Sequence, residues 1–182
     1  MYSRSRPDPV LHPDEATDHF RGPVSAQVTL IEYGDFECPS CLQAYGAVNI
    51  MRGHFGDQLR FVFRHFPLRE IHPHAELAAE AAEAAGAQGK FWPMYDLLFK
   101  HSQHLKDKHL LDYAGQVGLD IARYRTEMTD HVDLQRVQAH VLGGRHLGVR
   151  STPAFYVNGV FTDVSFGLQH LHEAVDRALQ RN

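Results

Sequence analysis

Glu32-Tyr33-Gly34-Asp35-Phe36-Glu37-Cys38-Pro39-Ser40-Cys41-Leu42-Gln43-Ala44-Tyr45 carries both cysteines of the chain, separated by two residues. Just upstream, Val28-Thr29-Leu30-Ile31-Glu32-Tyr33 is β-branched and apolar on both faces, the pattern of a strand covered on both sides. Downstream, Leu42, Tyr45, Val48, Met51 and Phe55 recur at steps of three and four, which marks one stripe of a helix. Leu59, Phe61 and Phe63 then alternate as a second strand. The order is strand, helix, strand, with Cys-x-x-Cys at the turn into the helix. Such βαβ units are right-handed with parallel strands, so the helix starts at the carboxyl end of the first strand, where Cys38 falls.

From His72 to Leu147 the signal is helical. Ala75–Ala87 is alanine-rich, with Glu76, Glu80 and Glu83 read as anions favoured near a helix start. Asp107 and Asp120 are candidate caps for two further helices, with stripes Leu110, Leu111, Ala114, Val117 and Ile121, Tyr124, Met128, and Gly118 as a stop. Another helix is expected over Val132–Leu147. Strands return at Ala154–Val157 and Val160–Thr162, joined by Asn158-Gly159, the strongest short hairpin signal. A last helix carries Leu168, Leu171, Val175 and Leu179 on one face. The fold class is therefore α/β: a βαβ...ββα core interrupted by an all-helical insertion. The expected organisation is an irregular segment over 1–23, broken by Pro7, Pro9, Pro13 and Pro23, a first core half over 24–71 with the two cysteines, a helical insertion over 72–148, and a second core half over 149–182.

The 182 residues suit one compact unit, and 43% hydrophobic with 22% charged residues is ordinary for a globular protein. No apolar run approaches the roughly 18 residues of a membrane span, so no membrane partner is expected. A net charge of −4 without a dense Lys/Arg tract argues against nucleic acid. The first fifteen residues are polar and proline-broken, without the apolar core of a secretory signal, so the expected location is cytoplasmic. Fourteen histidines are many for this length, and most are expected at the surface or at helix ends.

A Cys-x-x-Cys opening a helix places the first sulfur at the positive end of the helix dipole, where a thiolate is favoured. Cys38 is then the nucleophile. Cys41, one turn later and facing inward, resolves a mixed disulfide on Cys38. Between them, Pro39 is tolerated in the first turn and Ser40 offers a hydroxyl to the sulfur. With no histidine between the cysteines, a less extreme oxidant is expected than a Pro-His pair would give. Glu32 lies in the apolar strand, where a carboxylate is costly; it is read as an acid–base group for Cys41, against a salt bridge or a water-facing strand edge. In Arg150-Ser151-Thr152-Pro153-Ala154, Pro153 enters a strand without a ladder donor; trans is the default, while a cis bond would let Thr152 offer its backbone to an extended peptide. Zinc is the rival from another class, with Cys38 and Cys41 joined by two of His72, His74, His101 and His104.

Taken together, Cys38-Pro39-Ser40-Cys41, Phe63-Arg64-His65-Phe66-Pro67-Leu68, His72-Pro73-His74-Ala75, Gly89-Lys90-Phe91-Trp92 and Thr152-Pro153-Ala154-Phe155-Tyr156-Val157-Asn158-Gly159 resemble the DsbA-like branch of the thioredoxin superfamily. The resemblance spans about Val24 to Arg181. It implies a thioredoxin fold with a helical insertion and a protein thiol-disulfide oxidoreductase without a bound cofactor or metal. It further implies Cys38 as attacking thiol, Cys41 as resolving thiol, Glu32 as buried acid, and Thr152-Pro153 as a cis-proline loop that binds substrate. Its partners would be protein thiols or disulfides and a redox partner that recycles the cysteines. A non-catalytic thioredoxin-fold interaction module with idle cysteines is the remaining alternative.

Overall fold

A computed structural model describes residues 11–181. Its elements follow the order β1 (His19–Arg21), β2 (Val28–Gly34), α1 (Pro39–Phe55), a 3-10 turn (Gly56–Gln58), β3 (Leu59–His65), α2 (Ala75–Gly86), α3 (Phe91–Lys100), α4 (Asp107–Gln116), α5 (Ile121–Thr129), α6 (Leu134–His146), β4 (Ala154–Val157), β5 (Val160–Thr162) and α7 (Gln169–Leu179). Two compact units result. One takes the residues up to Tyr33, Ala47–Arg64 and Ala154 onward; the other takes Gly34–Gly46 and His65–Pro153. The turn that carries the two cysteines thus groups with the helical segment, which cuts across the boundaries drawn from the sequence.

The first unit is built on a five-stranded sheet of order β1-β3-β2-β4-β5. β2 is buried except for the half-exposed Thr29, as its apolar residues on both faces require. It pairs antiparallel with β4, with Glu32 opposite Phe155 and Tyr33 opposite Ala154. Asn158 and Gly159, at φ 47° and 79°, turn β4 into the antiparallel β5, the left-handed pair a two-residue hairpin needs. Asn158 also ties this turn to β2: its Oδ1 accepts from the Thr29 N–H at 2.8 Å and its own N–H donates to the Thr29 carbonyl at 2.9 Å. Leu171 and Val175 of α7 are fully buried, and the helix packs on β4 and β5.

Two expectations are corrected here. The segment 1–23 is not irregular throughout, because His19–Arg21 pairs antiparallel with β3, Phe20 opposite Val62. Pro13 and Pro23 flank this strand and leave its N–H groups intact. Just before it, Asp18 receives a two-point bond from the buried Arg64: Nε to Oδ1 at 2.8 Å and Nη2 to Oδ2 at 2.7 Å, with Arg64 Nη1 donating to the Tyr33 hydroxyl at 3.0 Å. The fork geometry satisfies a charge that β3 buries. On α1, the buried stripe is Cys41, Ala44, Val48, Met51 and Phe55, whereas Leu42 is 38% exposed. The steps of three and four hold, but they begin on the cysteine.

In the second unit α2 is the hub, packing against α3, α4, α5 and α6. Seven of its alanines are buried, and side chains this small let neighbouring helices approach closely. Asp120 caps α5 by accepting from the Arg123 N–H at 3.0 Å, as its type and position suggest. Asp107 does not cap α4; it is the first helical residue, after Lys106. Only Glu76 lies in the first turn of α2. Glu80 and Glu83 are buried, at 3% and 2% exposure, and serve histidines instead. No helix among the described residues is long and apolar enough to cross a membrane.

Candidate active site

Cys38 occupies the residue before α1. The Leu42 N–H donates to its carbonyl at 3.1 Å, and its own N–H donates to the Asp35 carbonyl at 3.2 Å. Pro39 then takes the first helical position, where a missing N–H costs nothing. A residue at this cap aims its side chain at the free N–H groups of the next turn. Both cysteines are free thiols, Cys38 at 6% exposure and Cys41 at none.

These surroundings lower the Cys38 pKa from an ordinary 9.0 to about 5. The hydrogen bond from the Cys41 side chain is the largest cause, and burial works against it. Thr152 and the backbone N–H groups of Cys41 and Ser40 add to the lowering. Ser40 thus acts through its backbone. On the other side, the Cys38 Sγ–H donates to the Thr152 carbonyl at 3.5 Å. Apart from Cys38, the buried Thr152 hydroxyl has no hydrogen-bond partner among the described residues, and the Thr152–Pro153 peptide is cis. Cys38, Pro39, Ser40, Cys41, Thr152 and Pro153 therefore meet within the second unit.

Glu32 belongs to the first unit, inside β2 and fully buried. It is neither at a strand edge nor facing water, so the water-facing alternative does not hold.

Four residues near the cysteines were not singled out for the redox chemistry. Asp35 has a fully buried carboxylate. Its Oδ1 accepts from the Glu37 N–H at 2.8 Å, and its Oδ2 accepts from the Leu68 N–H at 2.9 Å and from His72 Nδ1 at 2.8 Å. Its backbone N–H donates to Cys41 Sγ at 3.4 Å. Next along the turn, Glu37 accepts from the His74 N–H at 2.7 Å and from His74 Nδ1 at 2.9 Å. The readable signal was a carboxylate three residues and another one residue before Cys38, matched by two histidines spaced two apart.

These bonds commit the Nδ1 atoms of His72 and His74 to carboxylates. Among the described residues, the group with metal-ligand spacing is instead His65, Glu83 and His140, all buried and without a cysteine. It closes on itself: His65 Nε2 bonds Glu83 at 2.8 Å, His140 Nδ1 accepts from the His65 backbone N–H at 3.3 Å, and Arg136 lies 3.4 Å from Glu83. A metal there would take the lone pair that holds a buried N–H and would sit beside a guanidinium. That group, which holds no cysteine, is the one with metal-ligand spacing among the described residues.

A family model described as Thioredoxin matches residues 14–177. A protein named Na(+)/H(+) antiporter NhaA 1 from Salinispora arenicola is 46% identical over 165 residues, covering 91% of this chain and 25% of that protein. The Na(+)/H(+) antiporter NhaA of Herminiimonas arsenicoxydans is 43% identical over 152 residues, covering 82% and 24%. The chain thus spans about a quarter of the length of these curated relatives. Among solved structures, oxidised BdbD from Bacillus subtilis superposes with a TM-score of 0.83 at 20% identity, covering 92% of this chain and 96% of that one. A thioredoxin-like oxidoreductase from Silicibacter pomeroyi gives 0.77 at 28% identity, covering 90% and 93%. The thiol-disulfide exchange protein alpha-DsbA2 from Wolbachia pipientis gives 0.75 at 21%, covering 90% and 88%.

Proposed function

The chain belongs to the thioredoxin family, with the helical-insertion fold of its DsbA-like members, and we propose that it is a thiol-disulfide oxidoreductase acting on proteins through Cys38 and Cys41. The observation that carries this reading is the Cys38 sulfur at the cap of α1, its pKa lowered to about 5, with Cys41 buried one turn behind it.

In the oxidising direction a substrate thiolate attacks Cys38 Sγ of the Cys38–Cys41 disulfide. The S–S bond breaks, its electron pair leaves on Cys41, and Cys41 takes a proton. A second substrate thiolate attacks the substrate sulfur of the mixed disulfide and releases Cys38 as a thiolate. The substrate loses two electrons and the cysteine pair gains them. In reverse, the Cys38 thiolate attacks a substrate disulfide and Cys41 resolves the product. A thiol or disulfide partner of matching redox state returns the pair to its starting form.

Thr152 supports the substrate side of this reading, because its carbonyl already lies at hydrogen-bond distance from Cys38 Sγ. Glu32 is proposed to accept or return the proton of Cys41, on the strength of its full burial in the strand that leads into the turn. The relatives' antiporter name belongs to proteins about four times as long, of which the shared segment covers about a quarter.

The test is disulfide exchange with glutathione and with a reduced, unfolded protein. Wild type is expected to exchange and Cys38→Ser to lose all exchange. Retained exchange in Cys38→Ser would end the proposal.

A further inference from the structure

Cys41 is fully buried, yet its sulfur is reached by the Asp35 backbone N–H at 3.4 Å. That N–H belongs to a residue fixed in four ways. Its carbonyl takes the Cys38 N–H, and its carboxylate takes the Glu37 and Leu68 N–H groups and the His72 imidazole. His72 is itself anchored, its N–H donating to the Leu68 carbonyl at 2.8 Å. The imidazole is the one of these donors supplied by a side chain, so it can be changed without altering the backbone.

We propose that His72 and Asp35 are positioning residues for the cysteine pair: the His72–Asp35 bond sets the Asp35 peptide so that its N–H points at Cys41 Sγ, which favours the reduced pair over the disulfide. The Glu37–His74 bonds form a second latch on the same turn. This inference rests on the redox reading of Cys38 and Cys41.

The physical chain is short. An N–H donated to the Cys41 sulfur polarises its S–H, and hydrogen bonds in series strengthen one another. The Cys41 S–H is in turn the largest stabiliser of the Cys38 thiolate. His72 also supplies a donor to a carboxylate close in sequence to Cys38, which limits the repulsion a thiolate meets there. Both effects have the same sign. Removing the imidazole raises the Cys38 pKa, destabilises the reduced pair and makes the couple more reducing.

The experiment uses the full chain with His72→Ala, His72→Asn and His72→Leu. The Asn amide places a donor near the position of Nδ1, so it is the conservative rescue. Leu keeps volume without a donor and stands in if the Ala variant does not fold. Two quantities are read: the pH profile of Cys38 alkylation by iodoacetamide, and the equilibrium constant against glutathione at pH 7. His72→Ala or Leu is expected to raise the Cys38 pKa by about one unit, in line with loss of part of a charge-assisted bond. The constant for the reduced pair should fall about tenfold, about 30 mV toward reducing. His72→Asn should stay near wild type in both. A folded His72→Ala or Leu with wild-type pKa and constant would overturn the positioning role, even if its melting temperature fell. If wild type alkylates at Cys38 but exchanges no disulfides, the function proposal fails, while the alkylation profiles still decide the role of His72.

Discussion

Changing pH across the Cys38 titration should alter the redox equilibrium by a calculable amount. With the Cys38 pKa at about 5, the reduced pair holds two protons below pH 5 and one above it. Each proton taken up on reduction contributes about 30 mV per pH unit to a two-electron couple. The potential should therefore fall by about 60 mV per unit below pH 5 and by about 30 mV per unit above it. Glutathione thiols, with an ordinary pKa near about 8.5, keep both protons throughout this range. Measured against glutathione, the constant for the reduced pair should be flat below pH 5 and then rise tenfold per unit, reaching about 100-fold at pH 7. That is about 60 mV toward oxidising. The assay is equilibration in glutathione buffers from pH 4 to 8, acid quench, alkylation and mass analysis of the trapped thiols. A constant that stays flat up to pH 7 would refute the reasoning, since it would mean the α1 cap and Cys41 do not stabilise the thiolate.

The same pKa has an uneven kinetic consequence. At pH 7 a thiol of pKa 5 is about 99% thiolate and one of pKa 9 about 1%, a gain of roughly 100-fold in the attacking form. The drop of four units costs roughly 40- to 100-fold in intrinsic nucleophilicity. Attack is left almost unchanged. What the low pKa does favour is departure of Cys38 from a mixed disulfide, because a thiol of lower pKa leaves faster. Under the proposed redox role, a low Cys38 pKa would favour passing a disulfide on over reducing one.

Other outcomes follow from named contacts. Asp18→Ala leaves the Arg64 guanidinium buried without its carboxylate and should cost about 3–5 kcal/mol in urea unfolding; a loss under about 1 kcal/mol would show that the pair is dispensable. Glu32→Gln should slow turnover and flatten its pH dependence while the protein still folds, and an unchanged rate at every pH would remove Glu32 from the chemistry. Because the folded-state Cys38 pKa is depressed, its contribution to the reduced protein is complete above the ordinary value of 9.0, declines as pH falls from there and is lost below about 5. The reduced form's melting temperature relative to the disulfide form should therefore drop between pH 7 and pH 4.5. An equal offset at both pH values would contradict the thiolate assignment.

The elements that define the core were legible because each has a strong local signal: a doubly apolar β2, the Asn158-Gly159 hairpin, the stripe of α7. α3 was not singled out, although its buried residues Phe91, Met94, Tyr95, Leu98 and Phe99 recur at the i, i+3, i+4, i+7, i+8 spacing of one helical face, so the signal was there to be read. Leu42 misled because apolarity was followed in place of burial; the small Ala44 and the thiol of Cys41 form the inward face. Glu80 and Glu83 look like dipole partners in one dimension, but tertiary packing sets them against His131 and His65, each at 2.8 Å. In the same way Asp35 and His72 are 37 residues apart, and no local pattern announces their bond. The cysteines announced themselves, whereas the groups that hold them depended on the fold.

The measurement that bears most directly on the central claim is mixed-disulfide trapping by Cys41→Ser. The oxidised substrate, a protein with one accessible disulfide, is added to the reduced variant, and adducts are mapped by mass analysis after digestion. If Cys38 attacks and Cys41 resolves, a stable adduct forms through Cys38 and multiple turnover stops. A Cys41→Ser protein that carries no adduct and turns over at the wild-type rate would contradict the account.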